Sequence, residues 1–260
     1  MSSTPKPSVS EATAHGSVQR STIKEGGRSY RYYDLLLGAF ATVLLCSNLI
    51  GPGKTCQLPV PLLGTAVVFG AGNIFFPISY IFGDVLTEVY GYARARRAIW
   101  VGFAGLVFAA LMSFVIVQLP PAATEPFNVR LQSALELVFG NTWRVVIASI
   151  GAFWAGDFVN SYVLAKLKVY SRGRLLWTRT IGSTVAGQLV DSAIFYPIAF
   201  YGIWTGSTIM RVLVSNYLFK VCVEVILTPL TYVVVGWLKR AEQEDYFDVN
   251  TDFTPFSLDD

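Results

Sequence analysis

Long apolar stretches alternate with short basic segments along the central part of this chain. Six of these stretches hold roughly 20 apolar residues each, the length that crosses the hydrocarbon core of a bilayer as a helix. The pattern therefore predicts an all-α, polytopic membrane bundle of about six transmembrane helices. Their predicted bounds are residues 32–50, 67–90, 99–119, 143–166, 176–203 and 209–238.

The segment between the third and fourth apolar stretches is too polar to cross a membrane. It begins with two prolines, at residues 120 and 121, and carries Phe127, Leu131, Leu135 and Val138 at helical spacing. This spacing predicts a helix at the outer membrane interface. We expect it to cap the bundle rather than to act as a gating lid.

Basic residues between the apolar stretches set the predicted orientation. With six helices, four basic clusters fall on one side, and the positive-inside rule makes that side cytoplasmic. Both termini should then be cytoplasmic. The clusters are Lys24, Arg28 and Arg31; Arg94, Arg96 and Arg97; Lys166, Lys168, Arg172, Arg174 and Arg179; and Lys239 and Arg240.

Composition agrees with a membrane protein and speaks against other classes. Hydrophobic residues make up 53% of the 260-residue chain and charged residues only 14%, against about 25% in soluble domains. The net charge of +3 gives no support for nucleic-acid binding. The three cysteines lack the spacing of a disulfide framework or a metal site, and the single histidine, His15, lies in a polar tail. We therefore expect no metal and no cofactor.

The two ends of the chain differ from its apolar centre. Residues 1–29 are rich in Ser, Thr, Gly and Lys and lack the apolar core of a secretory signal, while residues 241–260 are acidic and polar. We predict a disordered tail at each end and one transmembrane domain over residues 30–240.

The apolar helices carry four sets of polar residues at helical spacing. Residues three and four apart share one helix face. An ionisable side chain at the bilayer centre costs about 2.5–3.5 kcal/mol and normally faces a bundle interior, so the sets predict a central site for a polar ligand. The sets are Asp84 and Glu88; Asp157, Asn160 and Ser161; Gln188, Asp191 and Ser192; and Lys220 and Glu224.

Structural roles compete with ligand binding for several of these residues. Glu88 lies one turn from the basic loop after the second helix, and an ion pair with an arginine of that loop explains it equally well. Lys220 and Glu224 are slightly better explained as a pair along their own helix. Asn160 serves equally well as an interhelical hydrogen-bonding group, and Arg179 could snorkel to the interface.

Three aspartates are better explained by function than by packing. Hydrogen-bonded packing does not require a charge, so we favour ligand binding for Asp84, Asp157 and Asp191. A carboxylate can accept two neighbouring N–H donors of a ligand at once. Proton coupling through one of these carboxylates is a further hypothesis.

Aromatic residues near the polar sets could supply flat walls for a planar ligand. Phe76 and Tyr80 are four residues apart, and the pair lies one turn before Asp84. This position favours them over Trp154, Phe158 and Phe195. For each of these rings a lipid-facing or core position is the more frequent alternative.

Two motif matches point to other functions and are rejected. Gly53-Lys54-Thr55 resembles the end of a phosphate-binding loop, but the required earlier glycine is replaced by Asn48. Paired Gly-Asp steps, at residues 83–84 and 156–157, are also typical of intramembrane aspartyl proteases, which the rest of the sequence does not resemble. We expect a protein that is not an enzyme.

Several separated blocks of the sequence resemble one known family. They occur in order over roughly residues 31–240, which makes the match specific. The chain is similar to the queuosine precursor transporters, also called the vitamin uptake transporter family. The blocks are Phe76 to Gly91 followed by Ala95-Arg96-Arg97; residues 156–161, 179–184 and 187–192; and Lys220 through Glu224 to Thr228-Pro229-Leu230, with Asn48 and Lys54 as earlier matches.

The resemblance implies a six-helix importer of the cell inner (plasma) membrane. Its implied substrates are 7-deazaguanines, namely 7-cyano-7-deazaguanine, 7-aminomethyl-7-deazaguanine and, in some members, queuine, which the cell uses to make queuosine in tRNA. With the reasoning above, the candidate substrate-binding residues are Asn48, Phe76, Tyr80, Asp84, Glu88, Trp154, Asp157, Asn160, Gln188, Asp191, Lys220 and Glu224.

Other interpretations stay open at this point. The chain could be a transporter or substrate-binding subunit for another small vitamin-like or nucleobase ligand, with an external ATPase as partner. More distant alternatives are an intramembrane enzyme that uses paired aspartates and a structural or assembly protein. Homodimerisation is also left open.

Overall fold

Seven helices and two short strands account for the regular structure in the described part of the chain. The computed structural model describes residues 30–50, 55–57, 68–70, 74–122, 124–140 and 143–257. The helices are α1 Tyr33–Ile50, α2 Phe76–Tyr90, α3 Tyr92–Gln118, α4 Pro126–Phe139, α5 Trp143–Tyr170, α6 Leu176–Phe200 and α7 Gly206–Glu242. The strands β1 Thr55–Gln57 and β2 Val68–Gly70 pair antiparallel. The predicted tail at residues 1–29 and the residue Lys54 lie outside the described residues.

The prediction of an all-α chain is confirmed, apart from the short pair of strands β1 and β2. One predicted helix is wrong in its first part, because α2 begins at Phe76 rather than near residue 67. Residues 68–70 pair as a strand instead. Pro77 lies in the first turn of α2, where a proline costs no helical hydrogen bond and marks the start of a helix. At 15 residues, α2 rises only about 22 Å.

Two of the described helices are long and apolar enough to cross a membrane by themselves. They are α3 and α7, and the bent pair of α4 and α5 would make a third if it counts as one span. Helices α5 and α6 have 28 and 25 residues, which is sufficient length, but their polar residues lower their mean hydropathy. Helix α4 lies within the segment predicted to hold an interfacial helix, and none of its residues is buried.

Helix α2 is the helix around which the others pack. It contacts α1, α3, α5 and α7, and 11 residues spread around its circumference are buried. Val85, Leu86 and Val89 are almost completely buried, as are Phe40 and Leu44 of α1. Because α2 is enclosed by other helices, its polar side chains face protein rather than lipid.

Helices α5 and α6 approach each other closely at two glycines. A Cβ atom placed on Gly187 would lie 2.8 Å from both the Gly156 carbonyl oxygen and the Asn160 Cβ atom. A Cβ atom on Gly156 would lie 3.0 Å from the Asp191 Cβ atom. Small residues allow this approach of helix backbones in a membrane, and it brings the polar faces of the two helices together.

One end of the bundle gathers the basic segments of the chain, and we call it the basic end. The carboxylate of Glu242, at the end of α7, accepts hydrogen bonds from the backbone N–H of Tyr32 at 2.7 Å and from the Tyr90 hydroxyl at 3.0 Å. The Tyr33 hydroxyl donates to the Arg94 carbonyl oxygen. These contacts join the start of α1, the α2–α3 junction and the end of α7.

Residues 243–257, which we call the C-terminal strap, lie against the basic end. The sequence predicts disorder from residue 241 onward. In the structure α7 continues to Glu242, and the strap makes specific contacts with α3 and α5. The Arg96 guanidinium donates to the carbonyl oxygens of Asp252 and Thr254, both at 2.8 Å, and the Trp100 indole N–H donates to Pro255 at 2.8 Å. Aromatic residues anchor the strap despite its acidic composition.

Asp248 is the buried polar anchor of the strap. Its carboxylate accepts the backbone N–H of Tyr92, the first residue of α3, at 3.0 and 3.2 Å. Gly91, which precedes α3, has no side chain to cap this helix, and a Cβ atom there would overlap the Tyr246 ring. Burial raises the pKa of Asp248, although its hydrogen bonds from Thr251 and Tyr92 favour the ionised form.

The substitution Asp248→Ala is expected to loosen the strap without unfolding the bundle. Loss of a carboxylate at a helix N-terminus costs about 1 kcal/mol, so limited proteolysis should cleave residues 243–257 about fivefold faster. Val249→Ala is the matched control, because Val249 is 68% exposed in the same segment. Equal cleavage rates for the two variants would contradict the anchoring role of Asp248.

The substitution Gly187→Ala is expected to push α5 and α6 apart. Overpacking of this kind typically costs about 1–3 kcal/mol, so the Tm of the purified protein should fall. Gly151→Ala is the control on α5, because a Cβ atom at Gly151 would meet no atom within 4 Å. An unchanged Tm for Gly187→Ala would show that the two helices separate without cost.

Candidate functional site

Polar residues from α2, α5, α6 and α7 lie together in the interior of the bundle. The carboxylates of four acidic residues lie within electrostatic range of the Tyr80 hydroxyl, and each residue of the group is at most 7% exposed. We call this group the central polar cluster. Its members are Tyr80, Asp84, Asp157, Asn160, Gln188, Asp191, Lys220 and Glu224.

A side chain of α5 holds the carboxylate of Asp84 in place. Its Oδ1 atom accepts a hydrogen bond of 2.8 Å from the Asn160 side-chain amide, which fixes the direction of the carboxylate. The Oδ2 atom of Asp84 and the Oδ1 atom of Asn160 are both buried without a hydrogen-bond partner among the described residues. A second contact between α2 and α5 lies beside it, where the Thr87 hydroxyl donates to the Ser161 hydroxyl at 3.1 Å.

Lys220 pairs with Asp191 across the α6–α7 contact. The Lys220 Nζ atom lies 2.8 Å from Asp191 Oδ2 and 4.6 Å from the centre of the Phe76 ring. The predicted pair of Lys220 with Glu224 along α7 is therefore wrong, because the lysine turns toward the neighbouring helix. Glu224 is left with both carboxylate oxygens buried and unpartnered within the described chain.

The cluster contains an unusual number of buried acceptors that lack a donor. Buried polar atoms are normally hydrogen-bonded, and each unpaired one costs about 1–3 kcal/mol. Hydroxyl groups of Tyr80, Thr184 and Ser192 are also without partners in the described chain. The unpaired acceptors are Asp84 Oδ2, Asn160 Oδ1, Gln188 Oε1, Glu224 Oε1 and Glu224 Oε2. This arrangement suits a ligand that supplies several N–H groups.

Glu88 lies outside this cluster in a saturated ion network at the basic end. Its carboxylate accepts two hydrogen bonds of 2.7 Å from Arg179 and one of 2.6 Å from Lys239, and Lys168 lies at 3.5 Å. Asp245 of the strap joins both lysines, at 2.5 and 2.7 Å. The predicted partners of Glu88 in the 94–97 loop are therefore wrong. Arg179 points into the bundle and does not snorkel.

Two further candidate residues, besides Glu88, lie away from the central polar cluster. Trp154 packs its ring against Trp100, Phe158 and Phe256, at the contact between α3, α5 and the strap. Asn48 lies near the opposite end of the bundle from the basic end, where its Oδ1 atom accepts from Ser149 at 3.3 Å.

A cavity lies beside Asn48, toward the end opposite the basic end. Its volume is about 200 Å³, and its lining includes Asn48, Ser149, Phe195 and Phe200. Val138 and Phe139, at the end of α4, also border it. The helix predicted to cap the bundle thus contributes to the wall of this cavity.

Sequence reasoning missed the part that Lys168, Lys239 and Arg179 play in fixing Glu88. The two lysines were used only to predict orientation, and Arg179 was expected to snorkel to the interface. A buried carboxylate requires a compensating cation, and all three cations belong to basic clusters predicted on the same side as Glu88. That coincidence is the signal that could have identified them.

Comparison with known proteins identifies the family of this chain. Residues 70–234 match the model of a family described as "Putative vitamin uptake transporter". The chain is 33% identical over 205 residues to a "Probable queuosine precursor transporter" of Bacillus subtilis, covering 78% of this chain and 84% of that protein. The chain belongs to the vitamin uptake transporter family. It is thus a membrane transport protein by family.

Two further relatives carry the same kind of name. The chain is 28% identical to the "Queuosine precursor transporter" of Escherichia coli over 189 residues, which cover 71% of this chain and 80% of the relative. It is 23% identical to a "Probable queuosine precursor transporter" of Haemophilus influenzae over 192 residues, 69% of this chain and 77% of the relative. No solved structure matches this member of the vitamin uptake transporter family.

The substitution Lys220→Met is expected to destabilise the bundle by leaving Asp191 buried without its cation. Removal of one partner of a buried ion pair costs about 3–5 kcal/mol, which a fall in Tm in detergent would show. The double variant Lys220→Met with Asp191→Leu should recover most of the loss. Arg211→Met, which removes an exposed cation from the same helix, is the control. A Lys220→Met variant as stable as this control would contradict the importance of the pair.

Proposed function

We propose that this protein imports queuosine precursors of the 7-deazaguanine type across the inner membrane. The observation that carries the proposal is the excess of unpaired acceptors in the central polar cluster. Family membership and the names of the relatives support the same substrate class. In this proposal the protein acts as a carrier and not as an enzyme.

The chemistry of a 7-deazaguanine complements the acceptors of the cluster. The ring system offers N–H groups at the pyrimidine ring, at the exocyclic amine and at the five-membered ring. It offers fewer acceptors, chiefly the carbonyl oxygen. Carboxylates accept N–H groups strongly, and the hydroxyls of Tyr80 and Ser192 could donate to the carbonyl oxygen.

Each candidate residue other than Glu224 receives a role in this proposal. Asp84, Asp157, Asn160 and Gln188 hold the edges of the base, and the Asp191–Lys220 pair orients one side of the site. Phe76 and Tyr80, whose rings are 5.5 Å apart, supply an aromatic wall. Glu88 closes the basic end, and Trp154 supports the α3–α5 contact. Asn48 lines the cavity at the opposite end, through which the substrate would enter.

We extend the proposal to six membrane-spanning segments with both termini in the cytoplasm. The described members of the basic clusters support it, because they gather at one end of the bundle. The proposal assigns α1, α2, α3, α5, α6 and α7 to the six crossings, with α4 at the outer interface. The positive-inside rule then places the basic end in the cytoplasm.

The substitution Asp84→Asn is expected to abolish uptake. An amide at this position replaces a charged acceptor by a group with one donor and one acceptor, and a hydrogen bond to a charged group is worth about 1.5–3 kcal/mol. The measurement is tRNA queuosine content in cells that cannot make 7-deazaguanines, fed each precursor in turn at low concentration.

Asp34→Asn provides the matched control, because Asp34 is exposed in the first turn of α1. Queuosine should be restored by the wild type and by this control, and lost with Asp84→Asn at equal membrane abundance. If the wild-type chain restores queuosine from none of the precursors, the proposed function is wrong.

A further inference from the structure

Glu224 is the carboxylate of the central polar cluster that the structure leaves completely unpaired. It is 1% exposed, and both oxygens are buried with no hydrogen-bond partner in the described chain. It belongs to α7, one of the two helices that are apolar and long enough to cross the membrane alone. A carboxylate in such a place must be compensated by a proton or by a ligand.

Three neighbouring carboxylates are already committed to other groups, and no oxygen of the fourth, Asp157, is among the fully buried atoms that lack a partner in the described chain. Asp84 gives one oxygen to the Asn160 amide, and Asp191 gives one oxygen to Lys220. Glu88 is saturated by cations from three helices. The Asp157 carboxylate lies within electrostatic range of both Asp191 and Lys220. Glu224 is therefore the carboxylate whose two oxygens are both shown to be buried and unpaired.

The position of Glu224 is suited to contact with a ligand in the cluster. Helices α2 and α7 pack together, and Glu224 lies within electrostatic range of both Tyr80 and Asp84 on α2. The Oδ2 atom of Asp84 and the Tyr80 hydroxyl are likewise buried and unpaired. A ligand at this place would meet one two-oxygen acceptor, one single acceptor and one hydroxyl.

Two parallel oxygens match a particular ligand edge. A carboxylate binds best to two N–H groups on adjacent nitrogens that point the same way, as in its bidentate pairs with arginine. In a 2-amino-4-oxopyrimidine ring, the ring N–H and the exocyclic amine form such a pair. A base without that amine would leave one oxygen of Glu224 buried and unpaired.

We infer that Glu224 is the specificity-determining residue of the site and binds the paired ring N–H and exocyclic amine of the substrate. The inference rests on the proposed function and names the atom group that decides which bases are accepted. It assigns Asp84, with one free oxygen, to a single further N–H group. Glu224 thus selects 2-amino bases against otherwise identical bases that lack the amine.

The test compares two bases that differ in one group. The purified full-length protein is titrated with 7-cyano-7-deazaguanine and with 7-cyano-7-deazahypoxanthine, which lacks the exocyclic amine. An unpaired buried oxygen should weaken binding about ten- to hundredfold, so the wild-type protein should prefer the amine-bearing base by that factor.

The variant Glu224→Gln should lose this preference. Its side chain offers one acceptor and one donor, which matches the ring N–H and carbonyl edge that both bases share. The two Kd values should then agree within a few-fold. Glu224→Asp keeps two oxygens on a shorter side chain, so it should bind both bases more weakly while it keeps the order of preference. Asp34→Asn should behave as the wild type.

The outcomes separate the two proposals. A wild-type protein that binds both bases equally, or a folded Glu224→Gln variant that keeps the full preference, overturns the role of Glu224 and leaves the proposed function standing. A Glu224→Gln variant that fails to fold leaves the decision to Glu224→Asp, whose loss of the preference would overturn the inference. A wild-type protein that binds neither base, and also fails to bind 7-aminomethyl-7-deazaguanine and queuine, overturns the proposed function.

Discussion

A single buried carboxylate, that of Glu88, sets the arrangement of the bundle. A charged side chain buried in a membrane protein requires a compensating opposite charge. Helix α2 carries Glu88 but has no lysine or arginine of its own. Arg179 of α6, Lys239 of α7 and Lys168 of α5 therefore converge on it. Their convergence fixes the rotation of α2, and the same rotation turns Asp84 and Tyr80 toward α5, α6 and α7.

The bundle treats its buried acids in two opposite ways. At the basic end, Glu88 is surrounded by cations and serves stability. In the central polar cluster, one lysine accompanies four acids, and several oxygens have no partner among the described residues. Unpaired buried groups reduce stability, so a protein keeps them where a ligand completes the hydrogen bonds. The contrast separates residues that hold the fold from residues available to a substrate.

The helices could be predicted from the sequence because apolar length and helical spacing are local properties. The start of α2 was mistaken, since an apolar run cannot by itself distinguish a strand from a helix, although Pro77 indicated the first turn. Ion-pair partners were harder to predict, because Glu88 and Arg179 lie 91 residues apart. Their contact depends on how each helix is rotated in the bundle. The same limit explains why Lys220 was paired with Glu224 rather than with Asp191. The strap was misjudged from its charge, while its aromatic residues indicated packing.

The strap also bears on the order in which the chain reaches its final form. Asp248 caps the first turn of α3 from 156 residues further along the chain. During synthesis α3 must therefore enter the membrane with that turn uncapped, and closure of so long a loop is slow compared with helix formation. A segment that is synthesised long after α3 therefore completes the first turn of that helix, and the basic end reaches its final form only after α7 has been made.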